Sequence, residues 1–212
     1  MKMNGETEEI IAARVSEPIE QDAWEAASPT KITRYWSGDE APSTRHAQAR
    51  LVWSAEALYV RFVCRQAEPL VVAERPSLDS KTIGLWERDV CEIFIAPDPT
   101  HPERYFEFEA APTGEWLDLA ILWQRDGRQT DWNYQSGMRV QANVRRRSTT
   151  IVMHLPWRAF GQRPAVGDRW RVNLFRCVGA GSARGYLAWR PTRTPRPDFH
   201  VPAAFGWLSF AD

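Results

Sequence analysis

Asp89-Val90-Cys91-Glu92-Ile93-Phe94-Ile95-Ala96 and, a short loop later, Arg104-Tyr105-Phe106-Glu107-Phe108-Glu109-Ala110 carry the pattern that decides the fold class. Both runs alternate with a period of two. Cys91, Ile93 and Ile95 share one face of the first, with Glu92 and Phe94 on the other. Phe106 and Phe108 oppose Tyr105, Glu107 and Glu109 in the second. Such alternation over seven or eight residues is the signature of a strand, and no helical period fits it.

The same pattern extends in both directions. Upstream, Lys31–Trp36, Ala47–Trp53 and Ala57–Arg65 read as strands, and Ser54-Ala55-Glu56 suits a hairpin link between the last two. Asp22–Ala27 suits one helical turn around Trp24. Downstream, Glu115–Trp123, Met138–Arg147, Ser148–Leu155, Trp170–Val178 and Tyr186–Trp189 follow, and Trp207–Phe210 closes the chain as an edge strand. Pro156–Phe160 makes a short irregular crossing, and a Pro-rich loop runs from Pro191 to Pro202. Residues 1–17 are expected to hang loose or to add an edge strand, and 18–212 to form one domain. The expected fold is therefore all-β: an antiparallel, jelly-roll-like β-sandwich of roughly ten strands. No long helices alternate with the strands, which excludes a parallel α/β fold.

Composition narrows the function. Among the 212 residues, 27 Lys and Arg balance 27 Asp and Glu, so net charge points to neither nucleic acid nor an anionic membrane. Arg145-Arg146-Arg147 reads as a solvated strand end. Cys64, Cys91 and Cys177 are odd in number, widely spaced and set in apolar runs, which suits buried free thiols rather than a disulfide framework. The N-terminal stretch has no continuous apolar run and reads as cytoplasmic as written; a start lying further upstream would allow a secreted or periplasmic protein. Eleven Trp residues exceed what a core of this size needs, which suggests that some of them face a ligand. There is no phosphate-cradling Gly-rich loop, no G-x-S-x-G elbow and no H-E-x-x-H.

Four groups of residues can carry chemistry. Trp86 precedes the strand that bears Asp89 and Glu92; an indole beside a carboxylate suits a sugar, whose C–H face packs on the ring while its hydroxyls meet the polar group. The equally plain alternative has Trp86 capping the core and Glu92 paired with an Arg. Glu107 and Glu109 share a face with Tyr105, and Glu92 can approach Glu107 across the ladder. Close carboxylates suggest a glycosidase pair or a calcium site, although the residues alone favour a solvated sheet face with Arg partners. Arg176 lies between apolar residues, which suggests a charge paired within the sheet. Asn173 falls on the opposite face. Trp189 enters the Pro-rich loop and can wall a cleft. His200 reads as structural. A haem site would need Met138 or Met153 to converge with His154 or His200, and nothing in the spacing supports it.

Taken in order, several stretches resemble the carbohydrate-binding module family 9 group in its free-standing form, from about Ile19 to Phe210. They are Pro18-Ile19-Glu20-Gln21-Asp22-Ala23-Trp24, Ala57-Leu58-Tyr59-Val60-Arg61-Phe62, Trp86-x-x-Asp89-x-x-Glu92-x-Phe94-Ile95-x-Pro97, Arg171-Val172-Asn173-Leu174-Phe175-Arg176, Tyr186-Leu187-Ala188-Trp189, and Phe199-His200-Val201-Pro202-x-x-Phe205-Gly206. The resemblance implies a jelly-roll-like sandwich, shared in outline with haem-binding DOMON domains. It also implies non-catalytic binding of a mono- or oligosaccharide of xylan or cellulose type at a chain end. The sugar would sit between two tryptophans, Trp86 matching the first and Trp189 the second, with Glu92 hydrogen-bonding it and Glu107, Glu109 and Arg176 as further candidates. A glycoside hydrolase would be the partner. The resemblance also implies structural calcium; no cofactor is expected otherwise, and calcium stays an open alternative that no dense Asp cluster supports. Hydrolysis by Glu92 and Glu107, or a drifted structural domain of the same fold, are the alternatives.

Overall fold

The computed structural model describes residues 9–212. Its regular structure is β1 (Glu9–Arg14), β2 (Thr30–Ile32), β3 (Arg34–Tyr35), β4 (Ala47–Trp53), β5 (Ala57–Arg65), β6 (Val90–Ala96), β7 (Arg104–Ala110), β8 (Trp116–Gln124), β9 (Gly127–Asp131), β10 (Arg139–Arg145), β11 (Ser148–Pro156), β12 (Arg169–Val178), β13 (Gly185–Ala188) and β14 (Gly206–Ala211). Only short 3-10 turns interrupt them; no α-helix forms among the described residues.

One hydrogen-bonded path orders the strands β10-β11-β5-β4-β1-β14-β12-β6-β7-β8-β9, with β2 beside β4, β13 beside β12 and β3 beside β13. β1 runs parallel to both its neighbours, β4 and β14; the other pairings are antiparallel. The path curls on itself. Val60, Phe62, Ile151 and Met153 from one arm meet Ile93, Phe108, Val172 and Leu174 from the other in one apolar core. The curled sheet encloses this core as a half-barrel, an arrangement consistent with a β-sandwich whose two arms join through β1.

Among the described residues the strand count is 14, not about ten. The Lys31–Trp36 run splits into β2 and β3, and β9 is too polar (Gly-Arg-Gln-Thr-Asp) to announce itself by alternation. Two expected edge strands lie inside the sheet. Ile10 and Ala12 of β1 are core residues, and β14 is clasped between β1 and β12. Residues 1–8 lie outside the described residues. The expected turn around Trp24 forms as a 3-10 segment, Asp22–Ala26, with Trp24 buried beneath the Arg61 guanidinium at 4.7 Å. Cys64, Cys91 and Cys177 are buried free thiols, with Cys64 Sγ 3.3 Å from Cys91 Sγ. Arg145, Arg146 and Arg147 are exposed at the β10–β11 turn.

The arm β12-β6-β7-β8 is covered on both faces. Cys91, Ile93, Phe108 and Ala110 point into the sandwich core. Phe94, Tyr105, Leu117, Leu119, Ile121 and Phe175 point the other way, into a second apolar layer roofed by Leu85, Phe199 and Phe205. Two loops build that roof. Phe199 stacks on Phe175 at 4.0 Å and 11°. The Pro-rich loop carrying it is tethered by the amide of Asn173, which donates to Arg190 O at 2.9 Å and accepts from Arg190 N at 3.0 Å. The long segment between β5 and β6 is pinned by Lys81. Its ammonium contacts Asp118 Oδ1 at 2.6 Å and donates to the carbonyls of Asp118, at 2.8 Å, and Tyr134. Asp118 is fully buried, and its other oxygen accepts from Ser136 N at 2.6 Å.

Removing one member of a buried ion pair strands the other charge, at a typical cost of about 3–5 kcal/mol. Lys81→Met should therefore lower unfolding stability by about 3 kcal/mol or more. Urea denaturation checks this. A change below about 0.5 kcal/mol, the scale of an ordinary surface substitution, would show that Lys81 does not pin the segment.

Candidate functional site

The two roofing loops do not meet completely. Between them lies an open pocket of about 930 Å³, floored by β6, β7 and β8 and rimmed by Trp86, Trp132, Tyr186 and His200.

Trp86 sits in a 3-10 turn, Leu85–Glu87, entered through Gly84 in the left-handed region at φ 81°. Leu85 is buried and anchors the turn, while Trp86 remains 37% exposed. Two arginines fix the turn. Arg88 donates to Glu115 at 2.8 Å. Arg184 donates to the carbonyls of Trp86, Arg88 and Gly179. Trp132 follows β9 and is 46% exposed; its ring centroid lies 6.3 Å from that of Trp86, with the planes tilted by 46°. Large apolar rings left open at a pocket mouth mark a binding surface more often than a packing one.

The floor is acidic. β6 and β7 place Glu92 directly opposite Glu109, and Phe94 opposite Glu107. Glu92, Glu107 and Glu109 each offer an oxygen to a cluster no more than 4.8 Å across. Glu92 and Glu107 line the pocket. Glu109 lies beneath them, fully buried. Beyond the trio itself, no group donates a hydrogen bond to either oxygen of Glu109 or to Oε2 of Glu107. The Cys177 thiol donates to Glu92 at 3.3 Å. Burial, then the neighbouring Glu107 charge, pushes Glu92 up to about 8. Burial pushes Glu107 up to about 7. Burial and the charges of Glu92 and Glu107 hold Glu109 well above the carboxylate range.

A polar relay runs along one wall. Trp123 Nε1 donates to the Tyr105 hydroxyl at 3.2 Å, which lies 2.8 Å from His200 Nδ1. His200 Nε2 stands 3.8 Å from Glu107 Oε2. With the hydroxyl donating to Nδ1, the proton of the neutral ring is on Nε2, facing the carboxyl group. Burial, reinforced by Arg128, pulls His200 down to about 3, so the ring is neutral at ordinary pH.

Sequence reasoning located part of this. Trp86, Glu92 and Glu107 meet in one pocket, with Glu109 beneath them. The expected solvated face with Arg partners is not found: Glu107 is 3% exposed and Glu109 0%, and among the described residues no Lys or Arg makes an ion pair with any of the three. The face is dry because the loops cover it. Trp189 is not in the pocket. It packs partly buried against the sandwich core, donates its backbone N–H to Leu174 O, and lines a separate hollow with Pro29, Thr30 and Lys31. Arg176 is also elsewhere, donating to Arg45 O at 2.6 Å and Gln66 Oε1 at 2.7 Å; alternation along β12 turns it away from Cys177 and the pocket. Asp89 is structural, accepting from Gly179 N at 2.8 Å. Trp123, Trp132 and Tyr186 were missed. The signal for Trp132 was Thr130-Asp131-Trp132-Asn133, an indole in a polar stretch with no core pattern around it.

A family model described as carbohydrate family 9 binding domain-like matches residues 19–211. The chain belongs to this carbohydrate family 9 binding domain-like group. No curated protein sequence matches it. Three solved structures share the fold. One is a protein of Bacteroides uniformis proposed to bind carbohydrate, 18% identical, covering 95% of this chain and 98% of that one at a TM-score of 0.74. The others are of a family 9 module from Caldicellulosiruptor kristjanssonii. In complex with cellotriose it is 15% identical, covering 96% and 93% at 0.65. In complex with glucose it is 16% identical, covering 95% of each chain at 0.62.

The carboxyl trio does not suit the structural calcium that the sequence resemblance implies. Calcium takes six to eight oxygens, commonly including backbone carbonyls and water. The residues that converge here are three carboxyl groups beside Phe94, Leu119 and the Cys177 thiol, which is not a calcium shell. The haem arrangement does not form either: Met138 and Met153 lie in the sandwich core, and no Met lines the pocket.

The buried titratable groups set a pH dependence. Carboxyls raised above their ordinary value of 4.5 favour the folded state while protonated, and that contribution is lost as pH climbs towards 8. His200, depressed from 6.5 to about 3, destabilises the fold as pH falls below 6.5. Between 4.5 and 6.5 the two effects oppose each other, but three carboxyls outweigh one imidazole, so the contribution of these groups should peak close to the ordinary carboxylate value of 4.5 and decline on both sides. Thermal melts from pH 3.5 to 9 check this, and Glu109→Gln should flatten the alkaline decline. A melting temperature still rising from pH 6.5 to 8.5 would contradict the buried protonated trio.

Proposed function

We propose that this family 9-like domain binds a mono- or oligosaccharide without cleaving it, in the pocket between the Leu85–Glu87 turn, β9 and the Pro-rich loop. The observation that carries the reading is the pairing of two half-open indoles, Trp86 and Trp132, with the carboxyl groups of Glu92 and Glu107 in the lining of one pocket. A pyranose offers an apolar C–H face and a rim of hydroxyls. The indoles suit the first and Glu92 and Glu107 the second. A protonated carboxyl group both donates and accepts, which fits a hydroxyl well. The pocket is large enough for one or two sugar rings and open at one side, which suits a chain end. The ligands of the Caldicellulosiruptor module, cellotriose and glucose, support a glucose-type sugar. A companion glycoside hydrolase fits the same role.

Hydrolysis is the weaker reading. A glycosidase needs its two carboxyls to flank the scissile bond. Glu92 and Glu107 rise from adjacent strands on one floor, with oxygens within 4.8 Å, and approach a ligand from the same side.

Affinity for a single sugar in an open pocket falls in the micromolar to millimolar range, roughly 4 to 8 kcal/mol. Titration calorimetry with glucose, cellobiose, xylose and xylobiose should show saturable binding and no release of reducing sugar. Trp86→Ala and Trp132→Ala should each weaken binding by about tenfold or more, about 1.4 kcal/mol. Trp189→Ala should leave affinity within a factor of two. Loss of binding in the folded Trp189 variant, with the Trp132 variant unaffected, would move the site to the other hollow.

A further inference from the structure

The floor of the pocket is a poor match for a neutral sugar alone. Two carboxyl groups are enough to order the hydroxyls of one ring. A third, Glu109, lies beneath them with both oxygens unpartnered outside the trio, in the driest place on this face. Unpaired buried acids are costly to keep, and are retained where a cation or a proton satisfies them. The charges facing the trio do not supply that cation. His200 is held neutral. The Arg184 guanidinium is occupied by three backbone carbonyls at the rim and rests on the Tyr186 ring at 5.3 Å. Arg128 lines the pocket and its charge reaches Glu107, but it is exposed on β9 and makes no ion pair with the trio. Glu87 and Asp198 add further negative charge among the lining residues. Above the acids stand Trp86, Trp123, Trp132 and Tyr186. An electron-rich aromatic wall over a buried carboxyl floor is the chemistry that recognises a desolvated ammonium group.

We propose that the pocket's preferred ligand is an amino sugar, a hexosamine unit with a free, protonated amine, whose ammonium group sits over Glu92 and Glu107 with Glu109 supporting them from below. The proposal rests on the sugar-binding reading and specifies the ligand class. The exchange balances simply. The ammonium group enters with its positive charge, one carboxyl of the trio gives up its proton to solvent, and an ammonium–carboxylate pair replaces the protonated group. Raised proton affinity in the empty pocket supports this, because it leaves a proton available for displacement.

Calorimetry of the full chain at pH 6.5 with glucosamine, glucose and N-acetylglucosamine, in two buffers of different ionisation heat, tests the proposal. Calcium and manganese chloride are titrated separately. Glucosamine should bind at least tenfold more tightly than either neutral sugar. Its apparent heat should depend on the buffer, reporting proton release, and Glu109→Gln should shrink its advantage. The wild-type comparison stands even if that variant fails to fold. Equal affinity for glucose and glucosamine would overturn the amino-sugar assignment and leave the sugar-binding reading intact. Binding of none of the sugars would overturn both. A glucosamine preference without proton release would overturn the seat on the buried floor and move the amine to Glu87 or Asp198. Micromolar capture of either metal, abolished by Glu109→Gln, would overturn the proposal by making the floor a metal site.

Discussion

The ladder between β6 and β7 is the constraint on which the rest depends. Every residue of β6 is buried, on both faces. One face packs into the sandwich through Cys91, Ile93 and Ile95. The other places Glu92 opposite Glu109 and next to Glu107. A face that is half aromatic and half acidic needs a cover that excludes most water without stranding the acids. The loops over it are accordingly heavily tethered: Lys81 with Asp118, Arg88 with Glu115, Asn173 with Arg190, and Phe199 on Phe175. The pocket is the part of that face the cover leaves open.

This arrangement also accounts for the unusual tryptophan content. Trp53, Trp157 and Trp170 form an edge-to-face cluster with Phe210 in the main core, and Trp24 closes the outer face of β5. Those four are structural. Trp86 and Trp132 are not consumed in that way, and they stand over the acids. The separation is physical. Tryptophans on alternating strand positions are drawn into cores, whereas those on tethered turns are held where the turn places them.

Much of the fold was legible because period-two alternation is a local signal. β4, β5 and β7 were bounded from sequence to the residue. β14 was legible as a strand and β1 only as one alternative to a loose tail; their parallel pairing joins residues about 200 positions apart and leaves no local trace. The site was half legible. Trp86, Glu92, Glu107 and Glu109 share a face by arithmetic alone, but whether that face was wet depended on loops whose packing has no period. Trp189 looked equivalent to Trp86 because both sit where a strand meets a loop. Alternation from Tyr186, which lines the pocket, turns Leu187 and Trp189 to the other face, where Trp189 packs against the sandwich core. Trp132 escaped notice because β9 is polar and short.

The central claim is that a ligand packs on Trp86 and Trp132 with its polar groups on a buried carboxyl floor. A crystal structure of the protein soaked with a glucose-type or glucosamine saccharide tests it most directly. The account predicts a ring packed on one or both of these indoles, with a hydroxyl or amine within hydrogen-bond distance of Glu92 or Glu107. A ring stacked on Trp189 instead, or a pocket filled only with solvent at saturating sugar, would contradict it.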